Sequence, residues 1–247
     1  MSPRRYQTPE EAMREVTTDI ILRAIKAARR KGRSIYIAKA ARTKGVDVAT
    51  LDPRTPEGKR RLDVFLTPVR RHYTFHGLGA PEEPNAISWR TLNLPVWRRM
   101  LVYLQVAVSF FLKGTPFKNK FLRWMGAHIG ANVEIMQMVW LDHFLPELIW
   151  IGDNTLIGAF TRVTVHTYEG SGRFRYGLVE IGKNCLIGAG TGIGPIKIED
   201  GVRTLPGTTL SPYFFRVRAG SVVGYAPPPV RLPEADLPSS EEPEIQV

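Results

Sequence analysis

At 247 residues with 43% hydrophobic side chains, the chain is long enough for one large domain, or one domain with an appendage, and apolar enough to build a core. A single cysteine, Cys185, excludes an internal disulfide and fits a reducing compartment. The formal charge of +11 is uneven: residues 1–130 hold 25 Lys and Arg against 10 Asp and Glu, while residues 131–247 hold 9 against 13. The basic half is therefore expected to face something anionic: a membrane surface, nucleic acid or a phosphorylated cofactor.

The opening MSPRRYQTPEEAMREV is polar and has no apolar core of a secretory signal, so the expectation is a cytoplasmic protein. Thr8-Pro9-Glu10-Glu11 is a helix start, with Thr8 as cap and Glu11 closing a capping box. Met13, Val16 and Ile20 continue it at helical spacing, and Gly32 stops it after Arg29-Arg30-Lys31. A second helix is expected from Ser34 to Lys44, and a third from Thr55-Pro56 that fades near Gly77. Residues 77–88 read as a loop.

LPVWRRMLVYLQVAVSFFLKG (94–114) is apolar apart from a narrow stripe of Arg98, Gln105 and Ser109. It is too short to cross a bilayer, which needs about 20 apolar residues. It is expected either to be buried in protein or to lie in a membrane interface. In the second case Arg98, Arg99, Lys113, Lys118, Lys120 and Arg123 would reach anionic headgroups.

The second half repeats itself. IGDNTLIGAF (151–160) and IGKNCLIGAG (181–190) agree at seven of ten positions, 30 residues apart. Ile151, Ile157 and Val163 are six apart, as are Ile181, Ile187 and Ile193, with glycine after isoleucine at 152, 158, 182, 188 and 194. A period of six is neither helical nor a simple strand alternation; it is the signature of a parallel β-helix of hexapeptide repeats. Ile129, Ile135 and Leu141 begin the rhythm, HFLPEL interrupts it, and Ile151 resets it. HTYEGSGRFRYG (166–177) is expected to be a loop that leaves the coil and returns in register. After Ile193 the phase slips, with Ile198, Thr204 and Leu210 again six apart. LPEADLPSSEEPEIQV (232–247) is acidic and rich in Pro and Ser, and reads as a disordered tail. The organisation is thus a basic helical region (1–116), a coil (117–231) and a tail (232–247).

Four phrases carry a resemblance: MGAHIGANVEI (125–135), LDHFLPELIWIGDNTLIG (141–158), RVTVHTYEG (162–170) and VEIGKNCLIGAG (179–190). In this order they resemble the hexapeptide-repeat acyltransferases, O-acetyltransferase branch, which includes the maltose, galactoside and colanic-acid enzymes. The resemblance spans about residues 117–230. It implies a mainly β fold, a left-handed parallel β-helix preceded here by the helical N-terminal region, assembled as a homotrimer with sites between neighbouring prisms. It also implies transfer of an acyl group, acetyl by default, from acyl-coenzyme A to a hydroxyl of a sugar or related acceptor, without a metal. The chain departs from the family at GPIKIEDG (194–201), which is one residue short, and at VVGYAPPPV (222–230).

Acyl transfer to a hydroxyl needs a general base, an oxyanion donor and a cradle for the donor molecule. The resemblance places the base at His166. Asp142 is the candidate for binding the acceptor or orienting the histidine, with Glu147 as the other candidate. Gly188, Ala189 and Gly190 match the positions of the oxyanion donor, and Arg203, Arg216 and Arg218 are candidates for the phosphates of coenzyme A. Two rivals stand beside this reading. A carbonic-anhydrase-type zinc site on the same repeat needs three converging histidines, whereas His143 and His166 are 23 apart and no histidine follows. A non-catalytic hexapeptide scaffold would leave the basic region to bind a membrane or another anion. No nucleic-acid module is recognisable, so nucleic acid is not an expected partner; peripheral contact with the inner face of an anionic membrane is.

Overall fold

The computed structural model describes residues 6–31, 34–39, 43–68, 71–77, 96–112, 116–169, 173–210 and 216–224. The loop expected at 77–88 and the tail expected at 232–247 lie outside these residues beyond Gly77. Helix α1 (Pro9–Lys31) starts where the capping box places it: Thr8 Oγ1 accepts from Glu11 N at 3.1 Å, and Glu11 reaches back to Gln7 N at 2.7 Å. Helix α2 (Pro56–Leu66) is capped by Thr55, whose hydroxyl accepts from Gly58 N at 3.0 Å.

Two expected helical stretches are strands instead. Ile35–Ala38 forms β1 where a helix from Ser34 to Lys44 was expected, and His72–Gly77 forms β3 where α2 was expected to continue. The β-branched and aromatic residues of IYIA and HYTFHG explain the outcome, because they pack well on a pleated surface. Val46–Asp47 adds β2. The presumed loop is also sheet: β10 (His166–Glu169) and β11 (Arg173–Gly177) form an antiparallel hairpin, and β11 pairs with β3, Tyr176 opposite Tyr73. The N-terminal half and the excursion from the coil thus share one five-stranded antiparallel sheet, ordered β10-β11-β3-β1-β2.

The rest of the β structure is parallel. From β4 (His128–Ile129), β5 (Glu134–Ile135) and β6 (Trp140–Leu141), the chain visits three sheets in rotation. The next turn is β7 (Ile149–Ile151), β8 (Leu156–Ile157) and β9 (Arg162–Val163), followed by β12 (Val179–Ile181), β13 (Leu186–Ile187) and β14 (Gly192–Ile193). Then come β15 (Lys197–Ile198), β16 (Arg203–Thr204), β17 (Thr209–Leu210), β18 (Arg216–Val217) and β19 (Val222–Val223). Sheet orders β18-β15-β12-β7-β4, β19-β16-β13-β8-β5 and β17-β14-β9-β6 follow, compatible with the β-helix that the period predicts. The hexad residues stack in register: Ile129, Ile151, Ile181, Ile198 and Val217 in one column, Leu141, Val163, Ile193 and Leu210 in another.

The I-G-x-N phrase has a reason at one corner. A Cβ on Gly152 would sit 2.6 Å from the backbone of Gly182 in the next turn, so only glycine allows the approach. Two residues on, Asn154 takes a left-handed φ of 56°, matched by Asn132 at 51° and Asn184 at 54° in the turns on either side. The breaks in rhythm all fall at a different corner, where the third sheet passes to the first. There lie HFLPEL, the β10–β11 hairpin and the short link Gly194-Pro195-Ile196.

Helices α3 (Val96–Phe111) and α4 (Pro116–Met125) close the first turn of the coil, with the polar stripe of α3 turned inward. Gln105 and Ser109 of the polar stripe are buried, while Tyr103, Leu104 and Phe110 are exposed. The open edge of the coil dictates this, because its unpaired backbone groups need partners. Gln105 Nε2 donates to Leu141 O at 2.6 Å, Asn119 Nδ2 to Val133 O at 2.6 Å, and Met138 N to Ser109 O at 2.7 Å. Lys118, a headgroup cation in the interfacial alternative, is instead fully buried and donates to Met136 O at 2.6 Å and Leu112 O at 3.3 Å. Arg123 likewise turns inward, to Ile129 O and Gly130 O.

Burial pushes the Lys118 ammonium down to about 8 from 10.5. The folded state then releases its proton before the unfolded chain does, so folding stability rises with pH between these values. Urea midpoints should increase from pH 7.5 to 10 by more in the wild type than in Lys118→Met, and equal increases would contradict this.

Candidate active site

Asp142 and His166 are 24 residues apart and one turn apart in space. Leu141 and Val163 are stacked hexad residues, so the residues that follow each of them meet at the irregular corner. His166 Nδ1 lies 2.6 Å from Asp142 Oδ2. Asp142 is held by the backbone as well: Oδ2 accepts from Val165 N at 2.9 Å and Oδ1 from Phe144 N at 2.7 Å. The carboxylate is 1% exposed, whereas the imidazole is 29% exposed. Burial works to raise the Asp142 carboxyl, but the hydrogen bond and charge of His166 and the two backbone N–H donors prevail and hold it below its ordinary range.

An ionised Asp142 accepts only, so it fixes the histidine as the tautomer with the proton on Nδ1. Nε2 is then left to take a proton from another molecule. The rings of Phe144 and Phe174 flank the imidazole, with centroids at 4.9 and 5.6 Å. Phe174 begins an aromatic stack through Tyr176 to Tyr73 and Phe75 of β3, and Tyr176 Oη donates to Thr17 of α1 at 2.8 Å. These supports were missed in the sequence. Their only trace is the period-two alternation of Tyr73-Phe75 and Phe174-Tyr176.

The other candidates do not gather here. Glu147 packs against Gly126, whose added Cβ would sit 3.2 Å from Glu147 Cγ, whereas Asp142 is the carboxylate hydrogen-bonded to His166. His143 lies edge-on to Trp140 at 5.4 Å, and burial chiefly lowers its basicity. Gly188 and Gly190 use their amides within the coil, donating to Thr204 Oγ1 and Ala159 O at 2.8 Å each. Ala189 between them is exposed. Gly188–Gly190 occupy the corner between the second and third sheets, not the corner of His166. Arg203 projects from the second sheet; Arg216 lies on the first, paired with Glu199, and Arg218 follows it. The three arginines therefore form no single cluster.

A groove of about 750 Å³ runs over the first sheet, floored by the stacked rings of His128 and Trp150. Neither Asp142 nor His166 lines it, and its Lys197 and Glu180 are paired with each other at 3.7 Å, so it is separate from the dyad. Among the described residues no group of three or more His, Cys, Asp or Glu could hold a metal ion.

No protein-family model matches the chain. A Bacillus subtilis (strain 168) protein, YvoF, provisionally named an acetyltransferase, is 36% identical over 115 residues. The match covers 43% of this chain and 66% of that relative's length. The repeat half resembles the hexapeptide-repeat O-acetyltransferases. A solved maltose O-acetyltransferase from Clostridium difficile 630 is 20% identical, with a TM-score of 0.39 over 51% of this chain and 79% of its own.

Proposed function

We propose that the chain moves an acyl group, acetyl by default, from coenzyme A to a hydroxyl of a sugar or related acceptor, with His166 as general base. The observation that carries this reading is the 2.6 Å pairing of His166 Nδ1 with the buried Asp142, which leaves Nε2 as the base. As the acceptor oxygen attacks the thioester carbonyl, its proton passes to Nε2. The tetrahedral oxyanion is met by a backbone N–H, for which Ala189 is the candidate. On collapse the carbon–sulfur bond breaks and the thiolate recovers the proton from His166. The ester and free coenzyme A leave, and Asp142 steadies the imidazolium in between. Incubation with labelled acetyl-coenzyme A and a panel of sugars and other hydroxyl compounds tests the reading. Acetylation of at least one acceptor is expected, and transfer to none would overturn it.

The left-handed sense of the coil and a homotrimeric assembly belong to the same proposal. His166 and Ala189 sit on different corners of one coil, separated by the third sheet. A site that uses both is completed by a neighbouring copy in a side-by-side trimer. Light scattering should therefore give three times the chain mass of 27.8 kDa. A monomer with full turnover would contradict the assembly.

A further inference from the structure

The outward faces of α3 and α4 are apolar where a solvated helix would be polar. Tyr103 is 75% exposed and Phe117 63%, with Leu104, Phe110 and Trp124 also exposed. Phe117 and Trp124 are seven residues apart on one face of α4, beside Lys120 and the half-exposed Phe121. The inward faces carry the polar groups instead, spent on the open edge of the coil. Sequence charge is one-sided as well: between Glu83 and Glu134 there is no acidic residue, while Arg90, Arg98, Arg99, Lys113 and Lys120 fall in that interval besides the inward-turned Lys118 and Arg123. No helix among the described residues is long and apolar enough to cross a membrane.

We infer that this two-helix face docks on the surface of an anionic lipid bilayer. Tyr and Trp favour the headgroup level, where an apolar ring and a polar tip both find partners, and Phe and Leu reach the acyl boundary. The acid-free basic interval adds attraction to anionic lipid, which salt screens. A protein partner would need matching acidic groups to meet the same charge; an anionic bilayer supplies them everywhere. This inference is independent of the acyl-transfer reading.

The test is co-flotation of the full chain with phosphatidylcholine vesicles, with and without phosphatidylserine, at low and high salt. Binding should appear with phosphatidylserine, weaken with salt, and fall roughly tenfold or more in Phe117→Ser with Trp124→Ser. Lys120→Glu should lower it roughly 5- to 30-fold. Thermal melts of the variants confirm that these exposed changes leave the fold intact, and their transfer to a soluble acceptor should be unchanged. Equal binding to both vesicle types, or none, overturns the inference. Loss of the wild-type oligomer in the Phe117 and Trp124 variant also overturns it, by assigning the face to contact between copies of the chain.

Discussion

His166→Ala is expected to lose about 10²–10⁴-fold in turnover, the usual share of a positioned general base. The fold should survive the change, because His166 lies outside the stacked aliphatic columns and its ring is partly exposed. The residue begins β10, but its backbone pairing with Tyr176 does not depend on the side chain. Binding of acetyl-coenzyme A should change little, since the base acts on the acceptor. Turnover close to wild type in the alanine variant, with a verified acceptor, would make the histidine structural.

Asp142→Asn should cost on the order of 10²-fold or more in turnover, with little change in acetyl-coenzyme A affinity. The carboxylate accepts three hydrogen bonds, from Phe144 N, Val165 N and His166 Nδ1. An asparagine presents one acceptor oxygen and one donor amide in the same place. With the oxygen on Phe144 N, the amide faces Val165 N–H and His166 Nδ1, which favours the opposite tautomer and puts the proton on Nε2. That imidazole is no longer a base. A buried backbone N–H left without an acceptor costs about 1–3 kcal/mol, so the variant should also melt earlier. The pH dependence follows from the direction of the Asp142 shift. Its folded carboxyl lies below the unperturbed value of 3.8, so its contribution is complete above that value and disappears as pH falls through the folded one. The stability gap between wild type and Asp142→Asn should therefore be widest near neutrality and shrink in acid. A constant gap would show that ionised Asp142 contributes nothing to folding.

The six-residue rhythm was legible because it is local. Each hexad writes its own inward residue, and Ile151, Ile157 and Val163 each sit in a column that the next turn repeats. The interruptions were legible too, and in the structure they share one corner, which also holds Asp142 and His166. Their pairing follows from the stack of Leu141 under Val163, a matter of register that the sequence spacing implies. The five-stranded antiparallel sheet was not legible. β11 pairs with β3 about a hundred residues earlier in the chain, and two or three alternating aromatics do not announce a partner at that distance. The orientation of α3 was hidden for another reason. A helical stripe of Gln105 and Ser109 ordinarily marks the wet side, but here the edge of the coil takes those groups inward. Lys118 was misread for the same cause: a lysine in sequence looks like surface, and only the carbonyls of Leu112 and Met136 make it a buried clip.

The central claim is that the irregular corner of the coil holds a base that removes a proton from a hydroxyl acceptor. The pH profile of thiol release from acetyl-coenzyme A, measured at fixed acceptor in the wild type and in His166→Ala, tests it most directly. The wild-type rate should rise with pH through one ionisation and level off, and the alanine variant should keep only a low rate without that ionisation. A flat wild-type profile, or the same ionisation at near wild-type rate in the variant, would contradict the account.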